Sequence, residues 1–137
     1  MTTGPAHTAP SANGRHTVIE VVNLAAKFAL FSDHWRPRIV GELNGQQVKL
    51  ARLKGEFIWH QHDDADELFL VIHGTLRMKL ADGEAQIAAG EFIIVPRGVA
   101  HLPIADDEAL VLLCEPASTR NTGNVANERT VTDLESI

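Results

Sequence analysis

The stretch from Gly55 to His101 constrains this chain most. At its centre two imidazoles stand two residues apart, in the run Trp59-His60-Gln61-His62-Asp63-Asp64-Ala65-Asp66-Glu67, among strand-forming residues. Side chains at i and i+2 of a strand share a face and lie roughly 6–7 Å apart along it. Both rings can therefore lean onto one cation, with metal–nitrogen bonds of about 2.0–2.1 Å. Glu67 offers a carboxylate oxygen after a short acidic turn, and His101 can close the set from a distant strand. Three nitrogens and one carboxylate oxygen suit zinc, iron(II), nickel or manganese better than calcium or magnesium.

Taken singly, each residue has a plainer reading. Most HxH pairs are ordinary surface or half-buried histidines, and a glutamate in an acidic cluster usually belongs to a solvated turn. A lone His101 reads as a satisfied loop histidine. Asp66 is the rival carboxylate, with Glu67 preferred for its longer reach and its six-residue gap to Gly74. His34 has no spacing that makes it a ligand. His73 shares the parity of Glu67 but lies roughly 20 Å further along the strand.

The spacing of the flanking residues is more specific. His60-x-His62-x4-Glu67-x6-Gly74 is followed by Gly90-x5-Pro96-x-Gly98-x2-His101. The pair of motifs resembles the cupin superfamily, whose first motif reads G-x5-H-x-H-x3,4-E-x6-G and whose second reads G-x5-P-x-G-x2-H-x3-N. Two departures show: Gly55 lies one residue nearer to His60 than the first motif has it, and Ala105 stands where the second has Asn. From about Val22 onward the chain also resembles small single-domain cupins often labelled mannose-6-phosphate isomerase-like, including His34-Trp35, the WHxH run and the Glu115-Pro116 exit. The resemblance implies an all-β, jelly-roll-like double-stranded β-barrel with a short N-terminal helix. It also implies a divalent transition metal (Fe, Mn, Ni or Zn) on His60, His62, Glu67 and His101.

A chain of 137 residues, 45% of them hydrophobic, is one domain long and able to bury a core. A net charge of −6 with no basic cluster argues against a nucleic-acid surface. Cys114 is the single cysteine, so no intrachain disulfide is expected. No apolar run approaches the ~20 residues that span a bilayer. The N-terminus lacks the basic and apolar regions of a signal peptide, so the expected location is cytoplasmic.

In chain order, residues 1–15 read as a disordered arm, with His7 incidental, residues 16–115 as one barrel domain, and residues 116–137 as a tail packed on or near it. Val18 to Val22 is a short β-branched run expected to form a strand. Asn23 is placed to cap a helix of about two turns carrying Leu24, Phe28 and Phe31 on one face. Ile39 to Leu43 and Gln46 to Leu53 flank Asn44-Gly45, a hairpin signal. Asp82-Gly83 is expected to join Thr75–Ala81 to Glu84–Ala89, with Leu76, Met78 and Leu80 on the buried face. Pro96-Arg97-Gly98 fits a type I turn with Pro second and Gly fourth. Leu110 to Cys114 reads as a final apolar strand, and Thr132 as the cap of a last helical turn. The count is about nine short strands.

Strand parity puts Ile58, His60 and His62 on one face, with Phe57 and Trp59 opposite. Likewise Glu67, Phe69 and Val71 face inward, yet Leu68, Leu70 and Ile72 opposite them are equally apolar. Something must cover that outer face, either the N-terminal segment or a second subunit, and a homodimer is the expected assembly.

Three functional readings remain open from sequence. The first is a metal-dependent enzyme, an oxidoreductase or an isomerase or lyase, acting on a small organic molecule inside the barrel. A thiol dioxygenase fits poorly, because the cysteine-oxidising cupins use a tyrosine and this chain has none. The second is sugar-phosphate isomerisation, for which only Arg52, Lys54 and Arg97 lie near the motif to meet a phosphate. The third is a non-catalytic module for a small ligand. Asp63, Asp64 and Asp66 are the acidic groups available as a general acid or base, although such a turn usually faces water. No catalytic side chain is assigned, and no nucleic-acid or membrane partner is expected.

Overall fold

The computed structural model describes Gly4 and residues 19–137. Apart from Gly4, the expected arm lies outside the described residues, as do Val18 and His16. Ile19 to Val22 form no strand and are exposed. Their β-branched side chains have no sheet neighbour to pack on, and propensity alone does not make a strand.

The first regular element is helix α1, Leu24–Phe28, just over one turn long. Asn23 caps it as expected, its side-chain oxygen accepting from Ala26 N at 2.9 Å. Seven antiparallel strands follow among the described residues, against the nine expected: β1 Arg38–Leu43, β2 Gln46–Glu56, β3 Glu67–His73, β4 Thr75–Leu80, β5 Gly83–Ala88, β6 Phe92–Val95 and β7 His101–Pro116. The count fell because Ile19 to Val22 form no strand and the HxH run makes only an isolated bridge, while Leu110 to Cys114 belongs to β7, a single strand of 16 residues.

The barrel is built around β7. Its C-terminal half lies between β2 and β3, with Leu50 and Leu70 both opposite Leu112. Its N-terminal half meets β4, with His101 opposite Leu80, and the end of β2, with Ala105 opposite Gly55. One strand thus serves two parts of the sheet, and the register shifts at Leu53/Gly55 and Val71/His73 supply the bends. The interior is filled by Ala51, Leu53, Phe69, Val71, Leu76, Met78, Ala109 and Val111 among others. Leu76 and Met78 are fully buried, as the alternation in β4 predicted.

The apolar outer face is partly covered from within the chain. Phe28 and Phe31 pack on Leu50, with Ile72, Leu110, Leu112 and Ile137 around them. That cluster is what the short helix is for.

Local details differ from expectation in four places. The β4–β5 loop is Ala81-Asp82, because Gly83 already pairs with Leu80. The Pro96 turn is displaced by one residue: Val99 N donates to Pro96 O at 3.2 Å, with Gly98 third at a φ of 77°. A positive φ at that position belongs to a type II turn, not type I. The tail makes no helical turn after Thr132; Ser136 instead bridges Ile39 beside β1. Finally, Phe57 does not face outward. Residues 57–66 are irregular apart from one bridge at His60, so period-two parity does not apply to them. Phe57 is buried beneath Trp35, their rings stacked at 4.7 Å, while Trp59 remains about half exposed.

Candidate metal centre

The backbone brings the two motifs together before any side chain does. His60 and His101 form a single antiparallel bridge, His60 N to His101 O at 3.1 Å and His101 N to His60 O at 2.9 Å. The Pro96 turn is tied to the same run, since Gly98 N donates to His62 O at 2.8 Å. Glu67 opens β3 and faces inward like Phe69 and Val71. One candidate ligand atom from each of His60, His62, Glu67 and His101 lies within 4.8 Å of the others, and all four residues are buried.

The rings are oriented by the chain around them. Nδ1 of His60 lies 2.9 Å from Ile58 O, and Nδ1 of His101 lies 2.9 Å from Val99 O. A carbonyl only accepts, so each Nδ1 carries the proton and each Nε2 keeps a free lone pair. The Nε2 atoms of His62 and His101 are buried and have no hydrogen-bond partner. They stand 3.4 Å and 3.6 Å from the two Glu67 oxygens. Buried polar atoms are rarely left so in a folded protein. Lone pairs converging with a carboxylate are the donor set that a divalent transition ion satisfies, and this group of residues fits such an ion.

Electrostatics point the same way. Burial first and the neighbouring His101 second lower the pKa of His60 from 6.5 to about 4, against the hydrogen bond to Ile58 O, which raises it. The ring is therefore neutral at ordinary pH, as a ligand must be. Burial alone would push the Glu67 carboxyl up, but its polar neighbours Glu115, His101 and His62 outweigh it and hold Glu67 below the usual carboxylate range.

Two residues beside this cluster were assigned no role from sequence. Glu115 on β7 stands next to Glu67, one step beyond the pair Leu68–Cys114. Lys49, on β2, donates from Nζ to Glu115 Oε1 at 2.7 Å, with both side chains almost completely buried. Burial pushes the Glu115 carboxyl well up, and the charge of Glu67 pushes it further, against the pull of Lys49. A charged pair inside a barrel is costly unless something uses it. Lys49 alternates with Ala51 and Leu53 on the inward face of β2.

His60, Glu67 and Glu115 line one side of a cavity of about 40 Å³. Its other walls include Trp35, Leu53, Phe57, Phe69 and Leu113, with Asn121 of the tail. Trp35 is held in a left-handed conformation, φ 61°, with its N bonded to Arg52 O and its Nε1 to Lys54 O. Such strain in a bulky residue persists only where its surroundings impose it.

The remaining sequence candidates lie elsewhere. Asp66 is exposed and accepts from Arg97 N at 2.9 Å, which holds its carboxyl below the usual range. His34 bonds Glu108 at 2.8 Å, and His73 is exposed at the end of β3. Arg52 is engaged by Glu108 and by Phe28 O, and Lys54 is exposed. Neither they nor Arg97 line the cavity. Cys114 is half-buried and also lies off it.

Comparison with known proteins agrees with this architecture. The Cupin domain family profile matches residues 48–114, from β2 to the end of the apolar part of β7. A cupin-2 domain containing protein from Shewanella frigidimarina NCIMB 400 shares 44% identity, with 70% of this chain and 94% of that one covered and a TM-score of 0.69. The chain belongs to the cupin superfamily. A second match is protein NMB1881 from Neisseria meningitidis, 30% identical, with 72% of this chain and all of that one covered and a TM-score of 0.66. An uncharacterized protein of Bacillus subtilis (strain 168), YdbB, is 40% identical over 63 residues, and the match spans 45% of this cupin and 56% of that relative. No helix among the described residues is long and apolar enough to cross a membrane.

Proposed function

We propose that this cupin binds one divalent transition ion through His60, His62, Glu67 and His101, and acts as a metal-dependent enzyme on a small organic molecule inside the barrel. The observation that carries the reading is the pair of orphaned imidazole nitrogens facing a buried carboxylate at the edge of an apolar cavity. The bound ion would supply Lewis acidity or redox chemistry to an oxygen-bearing substrate. The protein's own part is positional. Carbonyls of Ile58 and Val99 fix two ring tautomers, and Trp35, Phe57, Phe69 and Leu113 hold the apolar part of a substrate and exclude water. Glu115, with Lys49 on Oε1, leaves Oε2 buried and unpartnered to hold a proton or meet a substrate hydroxyl.

The apolar lining of the cavity favours a compact carboxylate, enol or diketone over a sugar phosphate. A phosphate wants convergent arginines, and Arg52 and Arg97 are bonded elsewhere. The same features serve a non-catalytic ligand-binding module. Elemental analysis of protein purified without chelator, followed by a turnover screen of the metal-loaded protein against such compounds, separates the readings. Absence of stoichiometric metal would overturn the enzyme reading and leave a binding module without an ion. Metal with ligand binding and no turnover would leave the binding module.

The assembly proposed with this reading is a homodimer in the cytoplasm. Trp59, Leu30, Phe92 and Ile94 are exposed, and β6 is an edge strand. A monomeric mass at micromolar concentration would count against it.

A further inference from the structure

Outside the family-matched region, the tail makes an unusually close contact with the site. We infer that the tail segment Asn121 to Asn124 is a clamp that positions the His60–His62 pair, so that the metal centre of this protein is not complete in the barrel alone. The inference rests on the proposed metal site and concerns which residues set its geometry.

Three observations carry it. Gln61, the residue between the two histidines, has both of its backbone hydrogen-bonding groups taken by one tail residue. Asn124 N donates to Gln61 O at 2.9 Å, and Gln61 N donates to Asn124 Oδ1 at 3.0 Å. A segment without a strand partner there thereby acquires a fixed peptide plane. Next, Gly123 packs its backbone directly against the same peptide. A Cβ at Gly123 would fall against Gln61 O, 2.8 Å from Gln61 C and 3.2 Å from Cδ2 of the His60 ring. Its φ of 56° is also one that glycine adopts without strain. No larger residue can sit there without displacing either the Gln61 peptide or the His60 ring.

The tail is also built to hold that position. Arg120 donates from Nε and a terminal nitrogen to Gly123 O at 2.9 Å and 2.7 Å. Thr122 is completely buried and bonds Val125 O and Thr130 Oγ1. The side chain of Asn121 spans to Arg129 O and Val131 N while lining the cavity. A surface tail with no task near the site has no need of a buried threonine and a glycine pressed onto a histidine. Groups that orient metal ligands from behind typically change metal affinity about ten- to a hundred-fold when removed.

The test uses the full chain loaded with cobalt(II), whose d–d bands report ligand geometry directly. Release of cobalt to excess EDTA gives a second reading independent of activity. Gly123→Ala and Asn124→Leu are expected to shift the bands and speed release about ten-fold or more. Asn124→Asp keeps the Oδ1 acceptor for Gln61 N and is expected to restore wild-type behaviour at neutral pH. Asn127→Ala, which loosens the tail away from Gln61 by removing the acceptor for Arg129 N, is expected to leave the bands unchanged. Should Gly123→Ala fail to fold, Asn124→Leu and its Asp counterpart decide the matter alone. Wild-type bands and release in Asn124→Leu overturn the clamp while leaving the metal site standing. A shift in Asn127→Ala equal to that in Asn124→Leu overturns it too, since loosening the tail would then suffice. A wild-type protein that takes up no cobalt overturns the metal site and the clamp together.

Discussion

His60 and His101 exchange both backbone hydrogen bonds across an isolated bridge, and their rings lie 4.3 Å apart. The two residues come from motifs far apart in sequence, yet main-chain hydrogen bonds tie their backbones together. Each ring is then fixed by its own Nδ1 contact to a carbonyl two residues earlier. A site arranged in this way is preorganised, and binding an ion there does not have to order the chain first.

Removing any one imidazole should therefore empty the site while leaving the barrel folded. His60→Ala, His62→Ala and His101→Ala are each expected to lower metal content sharply, measured by elemental analysis of protein purified without chelator. His73→Ala should retain full occupancy, because that side chain is exposed and away from the cluster. His7→Ala and His16→Ala should retain it too. Full occupancy in both His60→Ala and His101→Ala would remove the basis for the assignment.

The adjacent carboxylates give a sharper contrast. Glu67→Gln replaces the buried acceptor that faces two imidazole nitrogens, and metal content should fall as far as in the histidine variants. Asp66→Asn leaves the cluster untouched and weakens only the contact to Arg97 N. Stoichiometric metal is expected in Asp66→Asn, with urea unfolding close to that of wild type. The reverse pattern would make Asp66 the ligand.

These side chains were readable from sequence because motif spacing encodes which residues meet, even where the local geometry is wrong. Strand periodicity puts the HxH pair on one face, but its segment is held by an isolated bridge, the Pro96 turn and the tail. Period two therefore placed Phe57 on the wrong side. Within true strands parity held, as Leu76 and Met78 show. Lys49 and Glu115 went unassigned because each, read alone, is an ordinary charge in a strand; only the β2–β7 register puts them together inside the barrel. The contact of Gly123 with His60 had no local signal at all, since no propensity reports where a tail returns.

Acid should destabilise the metal-free protein through His60. Its pKa is lowered in the folded state, so the unfolded chain takes up a proton below about 6.5 that the folded chain resists until about 4. The contribution is complete above the unfolded value and is lost as pH falls through that window. It amounts to something on the order of 3 kcal/mol. Thermal melting of chelator-treated wild type should drop more steeply between pH 6.5 and 4 than that of His60→Gln. Parallel curves for the two proteins would show that another group dominates.

The buried Lys49–Glu115 pair makes the last prediction. Lys49→Met keeps most of the side-chain volume but leaves Glu115 buried beside Glu67 with its cation gone. Breaking a buried pair from one side typically costs about 3–5 kcal/mol, and the low end is expected here because the Glu115 carboxyl, already pushed up, can take a proton once its cation is gone. Replacing both partners removes that penalty, so Lys49→Met/Glu115→Met should recover most of the loss, as urea unfolding of the metal-free proteins would report. Lys54→Met, at an exposed position on the same strand, is the control and should stay within about 0.5 kcal/mol of wild type. The double variant should still bind metal, since neither residue belongs to the cluster. What it should lose is discrimination among bound ligands, with weaker binding of those carrying a hydroxyl that can reach Glu115 Oε2. An equal stability loss in the single and double variants would instead mean that the lysine matters for its packed stem and not for its charge.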